Sequence, residues 1–216
     1  VDLSQSPTEA DLEVSADDTE VTEGELLFEG NVSLKQGYRQ VTADQVTADR
    51  AGETASATGN VIFREPGILI RGSRIDYNSQ SEEATVTDAR YVIHDRRMVG
   101  SAVQLKRLGN GEIAIDDGRM TYCSPEDPEW VLHADELEID PGSGDAQAWG
   151  AKLKVAGVPV MYLPWIRFPV DSRRKTGLLF PDIGSDTRGG VDITAPIYLN
   201  LAPNYDLLYR PRYIQE

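Results

Sequence analysis

Gly30-Asn31-Val32-Ser33-Leu34 and, 29 residues later, Gly59-Asn60-Val61-Ile62-Phe63 open alike, with a small residue followed by apolar side chains at every second position. The pattern returns at Ala89-Tyr91-Ile93, Gly118-Met120-Tyr122 and Ala151-Leu153-Val155, after steps of 30, 29 and 33 residues. A second series lies between the copies: Asp44-Val46-Ala48, Ser73-Ile75-Tyr77, Ser101-Val103-Leu105 and Asp135-Leu137-Ile139. Each of these follows a small residue, Ala43, Gly72, Gly100 or Ala134. Alternation with a period of two is the mark of a strand, whose side chains point to opposite faces in turn. Two strands per repeat mean a chain that coils and stacks on itself, because one repeat cannot bury its own apolar face.

The positions between the apolar ones are polar, among them Lys35, Gln45, Arg64, Arg74, Gln104 and Glu136. One face of each sheet is therefore expected to meet water. Turn chemistry separates the runs, as in Glu65-Pro66-Gly67, Gly109-Asn110-Gly111 and Asp140-Pro141-Gly142. Residues 26–157 are predicted to form an all-β domain, a coiled jellyroll of two facing antiparallel sheets. A tight parallel β-helix is the competing fold, but the stacked Asn ladders of such helices are missing.

Net charge is −15, and residues 1–25 contribute nine acids with no Lys or Arg. That stretch has few large apolar residues and is read as an acidic mobile arm. The acidity argues against a nucleic-acid partner, which needs a basic face for phosphates. Two His and one Cys give no zinc or iron–sulfur spacing.

Beyond residue 157 the composition changes. Val158-Pro159-Val160-Met161-Tyr162-Leu163-Pro164-Trp165-Ile166-Arg167-Phe168-Pro169 is apolar, aromatic and punctuated by proline, which excludes a central strand. Residues 158–188 read as a Pro-rich junction that includes Arg173-Arg174-Lys175. In residues 189–216, two candidate strands run from Gly189 to Leu199 and from Tyr205 to Ile214. Their length, alternation and tyrosines are those of outer-membrane barrel strands. Two strands cannot close a barrel, so the chain reads as a fragment.

Three motifs carry a resemblance. Arg174-Lys175-Thr176-Gly177-Leu178-Leu179-Phe180-Pro181, the upstream Val158-Pro159-Val160-Met161-Tyr162-Leu163-Pro164 and the later Leu201-Ala202-Pro203-Asn204-Tyr205-Asp206 are similar to segments of the LPS-assembly LptD family. The repeats resemble its OstA-type domain. The resemblance implies an OstA-like periplasmic β-jellyroll followed by the first two strands of a truncated outer-membrane β-barrel. It implies a protein of the outer membrane, with this segment mostly periplasmic. Such a protein receives lipopolysaccharide from a periplasmic bridge and passes it towards the barrel for assembly in the outer leaflet. No cofactor and no covalent chemistry are implied. The implied partners are lipopolysaccharide, the outer membrane, the bridge protein LptA through the first jellyroll strand (about Glu25 to Leu34), and the plug lipoprotein LptE through barrel strands beyond residue 216. Cys123 matches a family position that forms a disulfide, with its partner outside this segment.

Carrying acyl chains through water calls for a long apolar trough shielded by sheet. The inward series assigned to lipid binding is Val32, Leu34, Val46, Val61, Phe63, Ile75, Tyr77, Tyr91, Ile93, Val103, Leu105, Ile115, Met120, Tyr122, Leu137, Ile139, Trp149 and Leu153. Apolar burial is worth roughly 25 cal/mol per Å2 and is tolerant of chain length. Pro196 and Pro211 fall inside the two barrel-like strands and each removes a ladder donor; the resemblance makes them a gate. Two other functions compete. One is a β-helix polysaccharide-active enzyme using His94-Asp95-Arg96-Arg97 or His133-Ala134-Asp135; the other is a scaffold that self-assembles end to end.

Overall fold

The computed structural model describes residues 6–7, 10–49, 51, 53–94, 97–124, 126, 128–169, 176–179, 182–185, 191–202 and 204–214. It is an all-β protein. The first twelve strands are β1 (Leu12–Ser15), β2 (Asp18–Val21), β3 (Glu25–Gln36), β4 (Arg39–Asp49), β5 (Thr54–Glu65), β6 (Ile68–Asn78), β7 (Glu83–Ile93), β8 (Met98–Arg107), β9 (Ile113–Thr121), β10 (Trp130–Asp140), β11 (Asp145–Val155) and β12 (Val158–Pro169). They form one antiparallel meander in chain order from β3 to β12, with β1 and β2 both on the outer side of β3.

Every long strand from β3 to β11 changes face near its middle. In β7 the buried Val86 lies before the change and the buried Ala89 and Tyr91 after it, and in β9 Ile115 and Met120 flank the change. The change comes from residues in left-handed backbone: Gly30 and Asn31 (φ 74° and 48°), Gly59 and Asn60 (75° and 48°), Asp88 (51°), Asp117 (49°) and Gly150 (61°). Gly, Asn and Asp are the types that reach this region at least cost. The sequence places one in each odd-numbered strand from β3 to β11, and the even-numbered strands between them bend at the same level without one. Between β3 and β4, β4 and β5, and β5 and β6 the register shifts at this level, as expected of β-bulges, which bend a strand and re-aim its side chains.

The bend lets both halves of each strand turn their apolar side inward. One buried cluster holds Val32, Ala43, Val46, Ala57 and Val61. A larger one runs from Val86 and Ala89 through Ile115 and Leu137 to Ala148 and Ala151. Ile75 packs against both, so the apolar interior is continuous from β3 to β12.

The structure revises two boundaries and one edge read from sequence. Within residues 1–25, β1 pairs with β3 from Leu12↔Gln36 to Ser15↔Ser33, and β2 from Asp18↔Glu29 to Val21↔Leu26. They are two halves of one broken strand rather than a mobile arm. The acids are tolerated because every β1 and β2 side chain is exposed. The outer edge of the sheet is consequently β1 and β2, not β3. At the other end, residues 158–169 belong to the sheet, where β12 pairs with β11 alone. Pro159 and Pro164 are compatible with strand there because an edge position leaves one side without a partner.

The C-terminal residues form two small sheets. β13 (Gly177–Leu178), β16 (Ile197–Ala202) and β17 (Tyr205–Tyr209) make one; β14 (Asp182–Ser185), β15 (Val191–Thr194) and β18 (Arg212–Ile214) make the other. The two strands expected over residues 189–216 are each split, at Ala195-Pro196 and at Arg210-Pro211. The registers Thr194↔Arg212 and Ile197↔Tyr209 put both breaks at the same level. Ala195 N–H donates to the Pro211 carbonyl at 3.1 Å across the gap. Gly189 and Gly190 lie outside the described residues.

Candidate functional site: the apolar interior and its polar seam

The inward series falls into four groups. Val32, Val46, Val61, Tyr91, Ile115, Met120, Leu137 and Leu153 are buried. Leu34, Ile75, Leu105 and Ile139 are half-buried and pack against the two clusters. Phe63, Ile93 and Tyr122 are half-buried at the ends of the row; the Tyr122 ring lies 5.7 Å from that of Trp130. Tyr77, near the end of β6, is open to solvent at 43%.

Val103 and Trp149 are corrections. Both stand on the outer face. In β8 the buried residue before the bend is Ala102, so Val103 takes the place that Asp44, Ser73 and Asp135 hold in β4, β6 and β10. It is 50% exposed. In β11 the buried Ala148 and Ala151 hold the inward positions, and Trp149 pairs outward with Glu136 and Trp165. Counting alternation straight through a bend misplaces residues beside it, since the inward face switches there while the β7–β8–β9 and β10–β11 registers run on unbroken.

The small residues at the bends are points of close approach. A Cβ on Gly72 would lie 2.6 Å from Val86 Cγ1, and one on Gly118 would lie 2.7 Å from Ile115 Cγ2. A Cβ on Gly100 would run into the Tyr91 ring and the Arg119 carbonyl. Tyr91 is 6% exposed, and its hydroxyl donates to the Arg119 carbonyl at 3.3 Å. Burial, then the nearby Tyr122, push its phenol up to about 12. Sequence reasoning missed Phe28, Ala57, Val86, Ala146 and Ala148, which line the half-strands before the bends. Their alternation was visible as Leu26-Phe28, Ala55-Ala57, Ala84-Val86 and Ala146-Ala148.

A polar seam runs along the outside of the bends. Asn31 Nδ2 donates to Asp17 at 2.7 Å, Asn60 Nδ2 to Asp44 at 2.8 Å, and Ser73 Oγ to Asp88 at 2.8 Å. The carboxylates of Asp17, Asp44 and Asp135 lie against Gly30, Gly59 and Gly150, where a Cβ would collide with each. Val103 offers Asp117 no hydrogen bond, and Asp117 Oδ1 instead lies 2.6 Å from His133 Nε2. Asp135 also accepts from Lys152 at 3.2 Å. On the same outer face Arg74 forks onto Asp76, and that hydrogen bond holds the Asp76 carboxyl below its usual range. The seam joins strands; His133 is one of its members, and His94 is exposed. Among the described residues no cluster of three or more His, Cys, Asp or Glu could hold a metal ion.

Cys123 is half-buried beyond β9, and its backbone N–H donates to Thr121 Oγ1 at 3.0 Å.

The family described as LptA/(LptD N-terminal domain) LPS transport protein matches residues 13–145, from β1 to the start of β11. The chain belongs to that family. Relatives named LPS-assembly protein LptD carry the similarity further. One from Saccharophagus degradans is 38% identical over 210 residues, covering 97% of this chain and 24% of its own. One from Acinetobacter baylyi is 38% identical over 194 residues, covering 89% and 24%. The chain spans about a quarter of the length of these relatives. Among solved structures, LptH of Pseudomonas aeruginosa is described as the LptA homologous periplasmic component of a lipopolysaccharide transport device. It aligns with 46% of this chain and 77% of its own, at 19% identity and a TM-score of 0.41.

Proposed function

We propose that this chain is the lipopolysaccharide-receiving segment of an outer-membrane LPS-assembly protein. The apolar interior holds the acyl chains, and residues 177–214 begin the membrane barrel. The observation that carries this reading is the unbroken apolar row from Val32 in β3 to Leu153 in β11, joined across its two clusters by Ile75, in a chain whose family transports LPS. Binding of this kind needs area rather than specific bonds, which suits a ligand with several acyl chains.

The reading assigns the bridge protein, an LptA-like jellyroll, to the outer edge of β1 and β2. Unpaired strand edges recruit further strands by main-chain hydrogen bonding. The plug lipoprotein LptE is a separate partner that engages barrel strands outside this segment, and the disulfide partner of Cys123 lies outside it too. Pro196 and Pro211 mark a weak level in the first barrel strands and serve the exit of lipid. The protein lies at the outer membrane with this segment largely in the periplasm. The polysaccharide-active enzyme and scaffold alternatives gain nothing from the relatives, which are named for LPS assembly.

Photo-crosslinking tests the proposal. Benzoylphenylalanine at Ile75, Leu105 or Leu137 of the full-length protein should capture lipopolysaccharide in cells. The same group at the outward Arg74, Val103 or Glu136 should capture little, because faces invert between neighbours. Equal capture on both faces would remove the trough from the mechanism.

A further inference from the structure

The outer face of the sheet is polar along most of its length, with Gln45, Thr47, Arg74, Gln104, Glu136 and Glu138 at the outward positions. Its last two strands differ. Tyr162 and Trp165 of β12 are 59% and 51% exposed, Val160 is 37% exposed, and Trp149 of β11 sits beside Trp165 in register. Cations flank these rings: Lys152 pairs in register with Tyr162, Lys154 with Pro159, and Arg167 with Gln147.

Exposed tryptophan and tyrosine interleaved with Lys and Arg is the composition that settles at a bilayer surface. The rings sit among the headgroups and the cations reach lipid phosphates. Chain connectivity puts this face within reach of a membrane. Seven residues, 170–176, separate the end of β12 from the start of β13, a span of about 25 Å at full stretch. Downstream, Tyr205, Leu207, Tyr209 and Tyr213 are exposed on β17 and β18.

We propose that the outer face of β11 and β12 rests on the near leaflet of the membrane that holds residues 177–214. Its aromatics then lie at headgroup depth and Lys152, Lys154 and Arg167 face anionic lipid. The contact fixes the tilt of the jellyroll, so that its C-terminal end opens towards the bilayer rather than into water. The proposal rests on the membrane-strand reading of residues 177–214, and its test separates the two.

The full-length protein is reconstituted into phosphatidylethanolamine–phosphatidylglycerol bilayers with a nitroxide amino acid at Val160, at Thr47 or at Leu207. Accessibility to oxygen and to a water-soluble nickel complex is read by electron paramagnetic resonance. At Val160 the oxygen-to-nickel ratio should be several-fold above that at Thr47. It should fall towards the Thr47 value in the Trp149→Ser plus Trp165→Ser variant. If Leu207 reports lipid while Val160 is as open to nickel as Thr47, the membrane contact is wrong and the barrel reading stands. If Leu207 is also aqueous, the membrane-strand reading fails and the contact fails with it. Shielding of Val160 from both probes would assign the face to a protein and overturn the proposal.

Discussion

Asn60, in left-handed backbone at φ 48°, donates its side-chain amide to Asp44 of the preceding strand at 2.8 Å. Asn31 makes the same bond to Asp17 one repeat earlier. The bond ties the bend in one strand to its neighbour, so successive strands bend at one level. A bend at one level in nine strands is what turns an extended sheet into a trough.

Three glycine-to-alanine replacements grade the contribution of that seam. Gly24 has open space around its Cα and an ordinary φ, so Gly24→Ala should leave stability unchanged. Gly111 has open space but a φ of +85°, and Gly111→Ala should cost about 1 kcal/mol. Gly59 combines φ +75° with the Asp44 carboxylate where a Cβ would go, and Gly59→Ala should cost about 2–4 kcal/mol. Urea midpoints measure the series. A Gly59→Ala cost no larger than that of Gly111→Ala would mean that Asp44 moves aside freely.

Tyr91 should make the jellyroll sensitive to alkali. Its phenol is raised by burial to about 12 in the folded protein, against about 10 in an unfolded chain. Between these values the folded state binds the extra proton, so stability falls as pH rises. The stabilisation is complete below about pH 10 and is lost by about pH 12, an amount of about 2–3 kcal/mol. Tyr91→Phe should flatten that part of the stability curve. An unchanged slope in Tyr91→Phe would place the alkaline transition on other groups.

The edge assignment predicts where the bridge protein is captured. A benzoylphenylalanine at Glu13 or Glu20, on the exposed β1 and β2, should crosslink to it in cells. At Glu29 or Lys35, on β3, capture should be weak, because β1 and β2 lie between β3 and the partner. Stronger capture from β3 would show that the partner displaces β1 and β2 and takes their place.

The proline breaks predict a gating phenotype. Each proline withholds one ladder donor, and a hydrogen bond contributes about 1 kcal/mol net. Pro196→Ala plus Pro211→Ala should therefore favour the closed gate by about 2 kcal/mol at most, enough to shift an opening equilibrium by up to about thirtyfold. Slower lipopolysaccharide delivery and greater sensitivity to large antibiotics are expected in cells carrying both changes. Normal delivery from a normally assembled barrel would reduce the two prolines to tolerated irregularities.

The amino-acid sequence determined the strand content, the two-strand repeat and the places where strands bend. Those features are local. Alternation is written in neighbouring residues, and left-handed backbone selects Gly, Asn or Asp at Gly30-Asn31, Gly59-Asn60, Asp88, Asp117 and Gly150. The prolines of residues 158–169 excluded a central strand and read as a junction; the structure makes the segment an edge strand, where a missing N–H is tolerated. The tertiary structure decided which face each residue takes beside a bend and which strand is outermost. Val103 and Trp149 read as inward by simple counting, but each stands beside a bend where the inward face switches, and both turn outward. The acidic β1 and β2 carry no apolar pattern strong enough to announce a strand, yet pair along β3 because its backbone donors and acceptors need partners and their own charged side chains stay in water. Register and edge are properties of what lies across the sheet, and no window of the chain contains its own neighbours.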